Sequence, residues 1–410
     1  MENNQQVSSD RDGRKKVALV HDFLVAYGGA ERVLEALAEM FPEAPIYTLL
    51  YDKERMGEHF LRRDIRVSWL AKLPRFLKKR YRFFLPFFPV AVESFDLRDF
   101  DLVISSSGAW SKGIVTRLNT KHIAYLHSPM RYAWDYHEQY LDELGAYGKL
   151  RIFTRALLSY LRVWDWQAAE RPDAIISNSR FTAARVKKYY RREAQVIYPP
   201  AMELYEKTKN VRSGEREIPS SAIRQLAEAD RDDGASRRHF LVVSRLTRSK
   251  KVDKTIEAFN KLGLPLIIVG DGPERTRLQS QAGKNIRFVG FISDEALAKL
   301  YASARAVIFP AEEDFGMVAA EALSFGTPVI AYEYGGIREI VEQGKTGELF
   351  HAETPEIIAE GVRRFLQHEG QYDETAMKQS VAHLAKKRFQ REMREFIQHL
   401  PEYPVVLPRG

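Results

Sequence analysis

With 410 residues, 45% of them hydrophobic and 29% charged, the chain has a globular composition and exceeds the usual size of one hydrophobic core. A formal net charge of +8 favours acidic partners such as nucleic acid, anionic lipid or phosphorylated substrates. The lack of cysteine excludes disulfides and thiolate chemistry. No apolar run is long enough to span a bilayer, and the first 16 residues have no secretory apolar core, so we expect a cytosolic protein.

Short β-rich apolar runs alternate with helical patterns along most of the chain. In the first half they lie at 16–21, 45–51, 101–107, 122–128, 173–179 and 195–200. In the second half they lie at 239–246, 265–272, 286–290, 306–311 and 328–332. Apolar strands that alternate with helices are typical of parallel sheets covered on both faces. The pattern predicts an α/β protein with two doubly wound, Rossmann-like domains that face each other across a cleft.

A polar, charge-rich segment at 203–238 separates the two sets of strands. It marks the predicted domain boundary, so we expect an amino-terminal domain over 15–202 and a carboxy-terminal domain over 203–374. The remaining pattern, over 375–401, is helical.

The segment 69–89, WLAKLPRFLKKRYRFFLPFFP, carries six Lys or Arg, seven aromatic residues and no acid. Aromatic rings suit the headgroup boundary and cations suit lipid phosphates, so the segment predicts an interfacial membrane anchor. Its cations are Lys72, Arg75, Lys78, Lys79, Arg80 and Arg82. A helix that covers core with its rings and exposes its charges to solvent is the alternative. No recognised nucleic-acid module accompanies the segment, so we expect no nucleic-acid partner.

Candidate ligand-binding residues in the first half follow strands, because parallel sheets bind ligands beyond the carboxyl ends of their strands. Gly28 and Gly29 come between a strand and a helix and leave room for a ligand, although a plain turn is the alternative. His127 ends the run at 122–128 and is either functional or structural, with Arg131 at the same rim. Asn178 ends the next run, where local capping is favoured over ligand binding.

The strongest candidate in the second half is the stretch 309–341, in which a strand, an acidic loop and a helix follow one another. Backbone N–H groups at the helix start form a phosphate site. Glu321, in the second helical turn, is placed to contact a nucleotide sugar, and Glu313 a second sugar. Two surface glutamates on a capped helix are the alternative. The predicted loop and helix-start residues are Phe315, Gly316, Met317 and Val318.

Two cations form the remaining candidate site. Arg245 lies at the end of one strand and Lys250 lies near the start of the next helix. A guanidinium fork and a lysine point charge at this edge would flank a diphosphate. Ordinary solvated loop charge is the alternative.

Taken together, these segments resemble family-4 retaining glycosyltransferases of the GT-B fold over nearly the whole chain. The E-x7-E element of that family falls on Glu313 and Glu321, its R-x4-K pair on Arg245 and Lys250, and its Gly-Gly loop on 28–29. Asp314 stands where the family usually has glycine. VHDFLVAYGGAERVLEAL, LHSPMRYAWDYH and SNSRFTAARVKKYY resemble the branch of bacterial O-antigen and polysaccharide mannosyltransferases.

The resemblance implies transfer of mannose from GDP-mannose, with retention, to a lipid-linked (polyprenyl diphosphate) or polysaccharide acceptor. The place of action would be the inner face of the bacterial membrane, as in lipopolysaccharide biosynthesis, with no metal or other cofactor. Arg245 and Lys250 would stabilise the leaving diphosphate, while Glu321 would bind the ribose. Glu313 and His127 would contact the donor sugar.

Several points stay open at this stage. Retention is compatible with same-face attack or with a covalent intermediate. A UDP-sugar donor, or a nucleotide-sugar 2-epimerase of the same fold, is the alternative to a GDP-mannose transferase. The resemblance also implies that a terminal helix over 375–401 packs back on the first domain.

Overall fold

The computed structural model describes residues 15–57, 59–72, 81–143, 148–208 and 239–400. The chain divides into a first unit, Met1–Tyr198 with Phe389–Gly410, and a second unit, Pro199–Arg388. The division between Tyr198 and Pro199 lies close to the boundary that the sequence placed after residue 202.

The first unit is built on a seven-stranded, all-parallel sheet of order β3-β2-β1-β4-β5-β6-β7. This is the Rossmann order, in which the sequence of strands reverses beside β1. The strands are β1 (Val17–Leu24), β2 (Ile46–Tyr51), β3 (Ile65–Val67), β4 (Leu102–Ser107), β5 (Lys121–Leu126), β6 (Ala174–Ser177) and β7 (Gln195–Val196).

Helices cover both faces of this sheet, and three buried clusters of the described residues lie between sheet and helices. Ser179 caps one of these helices, because its hydroxyl accepts from the Thr182 N–H at 2.9 Å. The helices are α1 (Gly29–Met40), α2 (Lys53–Met56), α3 (Phe88–Glu93), α4 (His137–Glu143), α5 (Gly148–Ala169) and α6 (Arg180–Tyr190).

The second unit repeats the same strand order in a six-stranded parallel sheet, β10-β9-β8-β11-β12-β13. Its strands are β8 (His239–Val243), β9 (Leu266–Val269), β10 (Ile286–Gly290), β11 (Ala304–Phe309), β12 (Val329–Tyr332) and β13 (Gly347–Phe350). Its helices are α7 (Glu203–Thr208), α8 (Val252–Leu262), α9 (Arg275–Gln281), α10 (Asp294–Ser303), α11 (Met317–Ser324), α12 (Pro355–His368) and α13 (Glu374–Ser380), and α14 (Lys386–Gln398) starts here. The prediction of two Rossmann-like parallel-sheet domains is confirmed.

The carboxyl-terminal region differs from the single helix predicted over 375–401. Two helices, α13 and α14, are separated by a 3-10 turn at Ala382–Leu384. Only the chain from Phe389 onward belongs to the first unit, where Phe389 and Met393 are fully buried. The strong amphipathic pattern after residue 386 therefore identifies the helix that packs on the first unit, while α13 packs within the second.

Within the described ranges, no helix is both long enough and apolar enough to cross a bilayer.

Candidate active site

The structure brings two of the predicted site residues of the second unit into contact. Lys250 follows β8, Glu313 follows β11, and these strands are neighbours in the sheet. The Lys250 ammonium forms an ion pair with a Glu313 carboxylate oxygen, and both side chains are partly exposed. A cation and an anion that are 63 positions apart in the sequence thus meet at the carboxyl edge, where parallel sheets bind ligands.

Arg245 lies in the loop directly after β8, and its side chain is exposed. Among the residues that the structure describes, no hydrogen-bond or ion-pair partner contacts its guanidinium. The planar group is therefore available to bind an anion at the same edge as Lys250.

A glycine-rich loop supports the Arg245 loop from the side of β9. The Ser244 N–H donates to the Val269 carbonyl at 3.0 Å, and the Leu246 N–H donates to the Asp271 carbonyl at 2.9 Å. Gly270 has a φ of +126°, and a Cβ there would overlap the Ser244 carbonyl oxygen. Because only glycine permits both this conformation and this approach, the sequence VGDG determines where Arg245 lies.

The start of α11 lies beside Glu313. Gly316 precedes the helix, and Met317 and Val318 are its first two residues, both partly exposed. Their N–H groups have no acceptor inside the helix. Phe315 is buried and holds this end of the loop against the core. The predicted phosphate site thus lies on the same loop as the Lys250–Glu313 pair.

A second glycine pair, Gly335 and Gly336, was missed at the sequence level although it positions Glu313. The Gly336 N–H donates to the Glu313 carbonyl at 2.8 Å, and Gly335 forms a parallel bridge with Glu313. Gly335 has a φ of +97°, and a Cβ there would overlap the same carbonyl oxygen. The Tyr-Gly-Gly stretch after β12 was the available signal.

Glu321 is 4% exposed, and its carboxylate accepts a hydrogen bond from the Tyr301 hydroxyl at 3.0 Å. A surface glutamate would be solvated instead, so the alternative interpretation of the E-x7-E element is wrong for this residue. Burial of a carboxylate is costly unless hydrogen bonds hold it. Tyr301, on α10, therefore fixes the orientation of Glu321.

In the first unit, Gly28 and Gly29 lie at the start of α1. Gly28 has a φ of −162°, an extended conformation that any residue adopts, so the turn itself does not require glycine. A Cβ at Gly28 would lie 3.3 Å from a Glu31 carboxylate oxygen. The small residue thus leaves space in front of Glu31.

His127 follows directly on β5, as predicted, and it is partly buried. Its Nε2 lies 2.8 Å from the Ser106 hydroxyl oxygen on the neighbouring strand β4. Asn178, after β6, donates from its amide to the His127 carbonyl at 3.0 Å. Asn178 therefore supports the His127 backbone, while Arg131 lies in the 3-10 turn Arg131–Ala133 that follows.

Asp22 is a further residue whose role the sequence pattern does not reveal. Its two carboxylate oxygens accept from the backbone N–H groups of Gly108, Ala109, Trp110 and Ser111 at 2.7–3.1 Å. Four donors on one carboxylate hold the loop after β4 against the end of β1. This loop also holds Ser106 in place, because the Ser111 hydroxyl donates to the Ser106 carbonyl at 2.9 Å.

A second serine–histidine pair lies within β4 and β5, where the Ser105 hydroxyl is 2.8 Å from His122 Nε2. Both residues are fully buried. Burial lowers the pKa of His122 to about 3, and the positive charges of Arg171 and Arg192 add to this shift. His122 is thus a neutral structural histidine at neutral pH.

The predicted membrane segment is only partly described. Arg75, Lys78, Lys79 and Arg80 lie outside the described residues, as does the side chain of Arg82 within the 3-10 turn Tyr81–Phe87. Lys72 is exposed, as are Trp69 (40%), Phe87 (50%) and Val90 (56%). Phe88, in contrast, is buried in the core. Some aromatic residues therefore cover core, as the alternative proposed, while others remain exposed to solvent.

Helix α5 of the same unit presents an apolar stripe to solvent. Its exposed large apolar residues, several of them at helical spacing, are Leu150, Ile152, Phe153, Tyr160, Val163 and Trp166. Trp164 on the buried face of α5 donates to Glu93 of α3 at 2.9 Å, which places α5 beside the helix that carries Val90. Exposed apolar clusters of this kind mark contact surfaces.

Two family models match this chain. Residues 27–201 match the model described as Glycosyltransferase Family 4, and residues 228–387 match the model described as Glycosyl transferases group 1. Together the two models cover most of the chain, and both indicate a glycosyltransferase.

Curated relatives match over shorter regions. An uncharacterized glycosyltransferase of Methanocaldococcus jannaschii is 37% identical over 141 residues, which is 32% of this chain and 36% of the relative. A GDP-mannose-dependent alpha-(1-6)-phosphatidylinositol dimannoside mannosyltransferase of Mycobacterium tuberculosis is 38% identical over 129 residues, 29% of this chain and 33% of the relative. The chain thus spans about a third of the length of these curated relatives.

Solved structures match over almost the whole chain. Anabaena HepE in complex with UDP-glucose gives a TM-score of 0.65 at 20% identity, covering 94% of this chain and 100% of that one. This similarity shows the fold and confirms the GT-B architecture.

Proposed function

We propose that the chain is a retaining glycosyltransferase that uses a nucleotide-sugar donor. The observation that carries the proposal is the Lys250–Glu313 ion pair at the carboxyl edge of the second sheet. Arg245 lies in the loop before it, and the amino end of α11 lies in the loop after Glu313. A diphosphate bound here would receive two side-chain cations and the N–H groups of a helix start.

Each of these groups has a role in breaking the bond between sugar and diphosphate. The negative charge that develops on the leaving diphosphate would be stabilised by Arg245 and Lys250, which needs no metal. Once Lys250 binds phosphate, the Glu313 carboxylate is released to accept hydrogen bonds from sugar hydroxyls. Glu321 would bind the ribose, and His127 would contact the donor sugar near the reacting carbon.

Mannose from GDP-mannose is the donor that we favour. The Mycobacterium tuberculosis relative, which is named as GDP-mannose-dependent, supports this choice. The structural similarity to a UDP-glucose complex supports a UDP-sugar as the alternative.

A donor screen with the purified protein tests the proposal. Release of nucleoside diphosphate is measured for GDP-mannose, UDP-glucose and other GDP- and UDP-sugars, with and without added EDTA. We expect turnover of GDP-mannose that EDTA leaves unchanged. Turnover of a UDP-sugar alone would refute the GDP-mannose assignment, a sugar epimer without transfer would favour the 2-epimerase, and no turnover of any donor would refute the transferase.

We propose that the acceptor is a lipid-linked saccharide. It would be carried on a polyprenyl diphosphate at the inner face of the bacterial membrane. The supporting features all lie in the first unit. They are the basic segment that includes Lys72, the exposed Trp69, Phe87 and Val90, and the apolar stripe of α5. Apolar side chains at the headgroup boundary and cations on lipid phosphates together give peripheral binding.

Cosedimentation with liposomes tests the membrane part separately. Replacing Lys78, Lys79, Arg80 and Arg82 by Glu is expected to weaken binding to anionic vesicles at least tenfold, since each basic residue contributes about 1 kcal/mol. The matched control replaces four exposed cations of the second unit by Glu, namely Lys284, Arg287, Lys299 and Arg363. Equal binding by both variants would refute the anchor.

A further inference from the structure

A chain of polar side chains leads from His127 into the interior of the first unit. His127 Nε2 lies 2.8 Å from Ser106 Oγ, and Ser106 Oγ lies 3.1 Å from His21 Nδ1. His21 Nε2 in turn lies 3.4 Å from a carboxylate oxygen of Glu31. His21 is 3% exposed and Ser106 is fully buried, so solvent does not replace these contacts.

Strand register creates this arrangement. His21 on β1 and Ser106 on β4 are directly paired in the parallel sheet, so their side chains project from the same face. Glu31 lies in the first turn of α1, immediately after the Gly28–Gly29 loop, and reaches back to His21. Asp22, which binds the loop after β4, keeps this end of the two strands together.

For a neutral His21, the hydrogen-bonding capacities of the four groups determine where the protons lie. A carboxylate only accepts, so His21 Nε2 carries a proton that it donates to Glu31. In neutral His21 the other nitrogen, Nδ1, is then an acceptor, and the single Ser106 proton is donated to it. The Ser106 oxygen can therefore only accept from His127, and His127 Nε2 must carry a proton.

We infer that His21 and Ser106, oriented by Glu31, are positioning residues that hold His127 as the Nε2–H tautomer with a fixed ring orientation. The inference rests on the proposed function, in which His127 contacts the donor sugar. The basic nitrogen of neutral His127 is then Nδ1, which sets where the ring accepts a hydrogen bond and where it takes up a proton. A histidine without this support would divide between two tautomers and lose part of its orientation.

The neighbouring pair, Ser105 and His122, provides a matched control. Ser105 and Ser106 are adjacent on β4, both are fully buried, and each lies 2.8 Å from a histidine Nε2. Replacing either serine by alanine removes one buried hydroxyl, which contacts His122 in the case of Ser105 and both His127 and His21 in the case of Ser106. Only the Ser106 change affects the chain that ends at His127.

The test is nitrogen NMR of the full chain labelled with 15N-histidine, recorded at pH 8.5, about two pH units above the ordinary histidine pKa. His127 is assigned from the signal lost in His127→Gln. We expect the Nε2–H pattern for His127 in the wild type and in Ser105→Ala. In Ser106→Ala and His21→Phe, we expect the His127 signals to move towards an average of both tautomers.

Kinetics supply the second measurement. With the donor found in the screen, Ser106→Ala is expected to lower kcat about tenfold with a donor KM changed less than twofold, whereas Ser105→Ala changes neither. An Nδ1–H pattern in the wild type, or His127 signals unaffected by Ser106→Ala, overturns the inference. Because the spectra need no sugar transfer, failure of every donor would refute the proposed function and leave the tautomer result intact.

Discussion

The two units share a strand order but hold their candidate site residues in opposite ways. In the second unit, partly exposed charges such as Lys250 and Glu313 lie on loops that are fixed by backbone contacts at glycines. In the first unit, His127 is fixed by buried side chains, one hydrogen bond after another. The difference suits the proposed roles, because a diphosphate needs mobile counter-charges whereas a sugar-contacting imidazole needs one orientation and one tautomer.

Removing the cations of the second unit should have the largest effect. We expect Lys250→Ala and Arg245→Ala each to lower kcat/KM about 10²- to 10³-fold, since each removes a charge from the leaving diphosphate. Steady-state turnover of the best donor measures the loss. Lys284→Ala removes an exposed lysine outside the proposed site and should be neutral. A loss below threefold for both site variants would place the diphosphate elsewhere.

Substituting a glycine whose Cβ would overlap a neighbouring carbonyl should have the next largest effect. Gly335→Ala is expected to lower the free energy of unfolding by about 3 kcal/mol, because a Cβ would overlap the Glu313 carbonyl at a left-handed φ. Gly344 also has a positive φ, +75°, but nothing lies within 4 Å of its Cβ position. Gly344→Ala should therefore cost only about 1 kcal/mol. Urea denaturation compares the two variants. Equal losses of unfolding free energy would show that the left-handed backbone conformation alone, and not the overlap with the Glu313 carbonyl, causes the destabilisation.

The burial of His122 in the first unit predicts that folding stability depends on pH. The pKa of His122 is held at about 3 in the folded chain, below its ordinary value of 6.5, so only the unfolded chain takes up this proton between pH 6.5 and pH 3. Folding stability therefore falls as the pH falls through this window, by about 2 kcal/mol between pH 7 and pH 5. His122→Gln should remove this dependence in urea titrations at both pH values. If the free energy of unfolding of the variant changed with pH as much as that of the wild type, groups other than His122 would cause the dependence.

Much of this architecture is readable from the sequence, since apolar strands and the loops that follow them are local patterns. The two short or polar strands β3 and β13 were missed. Ile65–Val67 lies at the sheet edge, and Gly347–Phe350 contains Glu348, which is buried because the Tyr372 hydroxyl donates to it at 2.7 Å. A strand as short as β3, or one that carries a charged residue as β13 does, has no continuous apolar run in the sequence, so only its pairing in the sheet reveals it.

The same limit applies to the candidate site. Glu313 and Lys250 were identified because the spacing of their motifs is local, and their contact then follows from neighbouring strands. The three serines that end β4 look alike in sequence, and only register with β1 and β5 separates the roles of Ser105 and Ser106. His21 and Asp22 likewise acquire partners some 85 positions away.

The central claim, that the second unit binds the nucleotide part of the donor through Glu321, is tested most directly by calorimetry. GDP and UDP are titrated into the wild type, Glu321→Ala and Glu321→Gln, with circular dichroism to check the fold. We expect the wild type to bind GDP, and both variants to bind it at least tenfold more weakly while remaining folded. Equal affinity for the nucleotide in all three proteins would contradict the account.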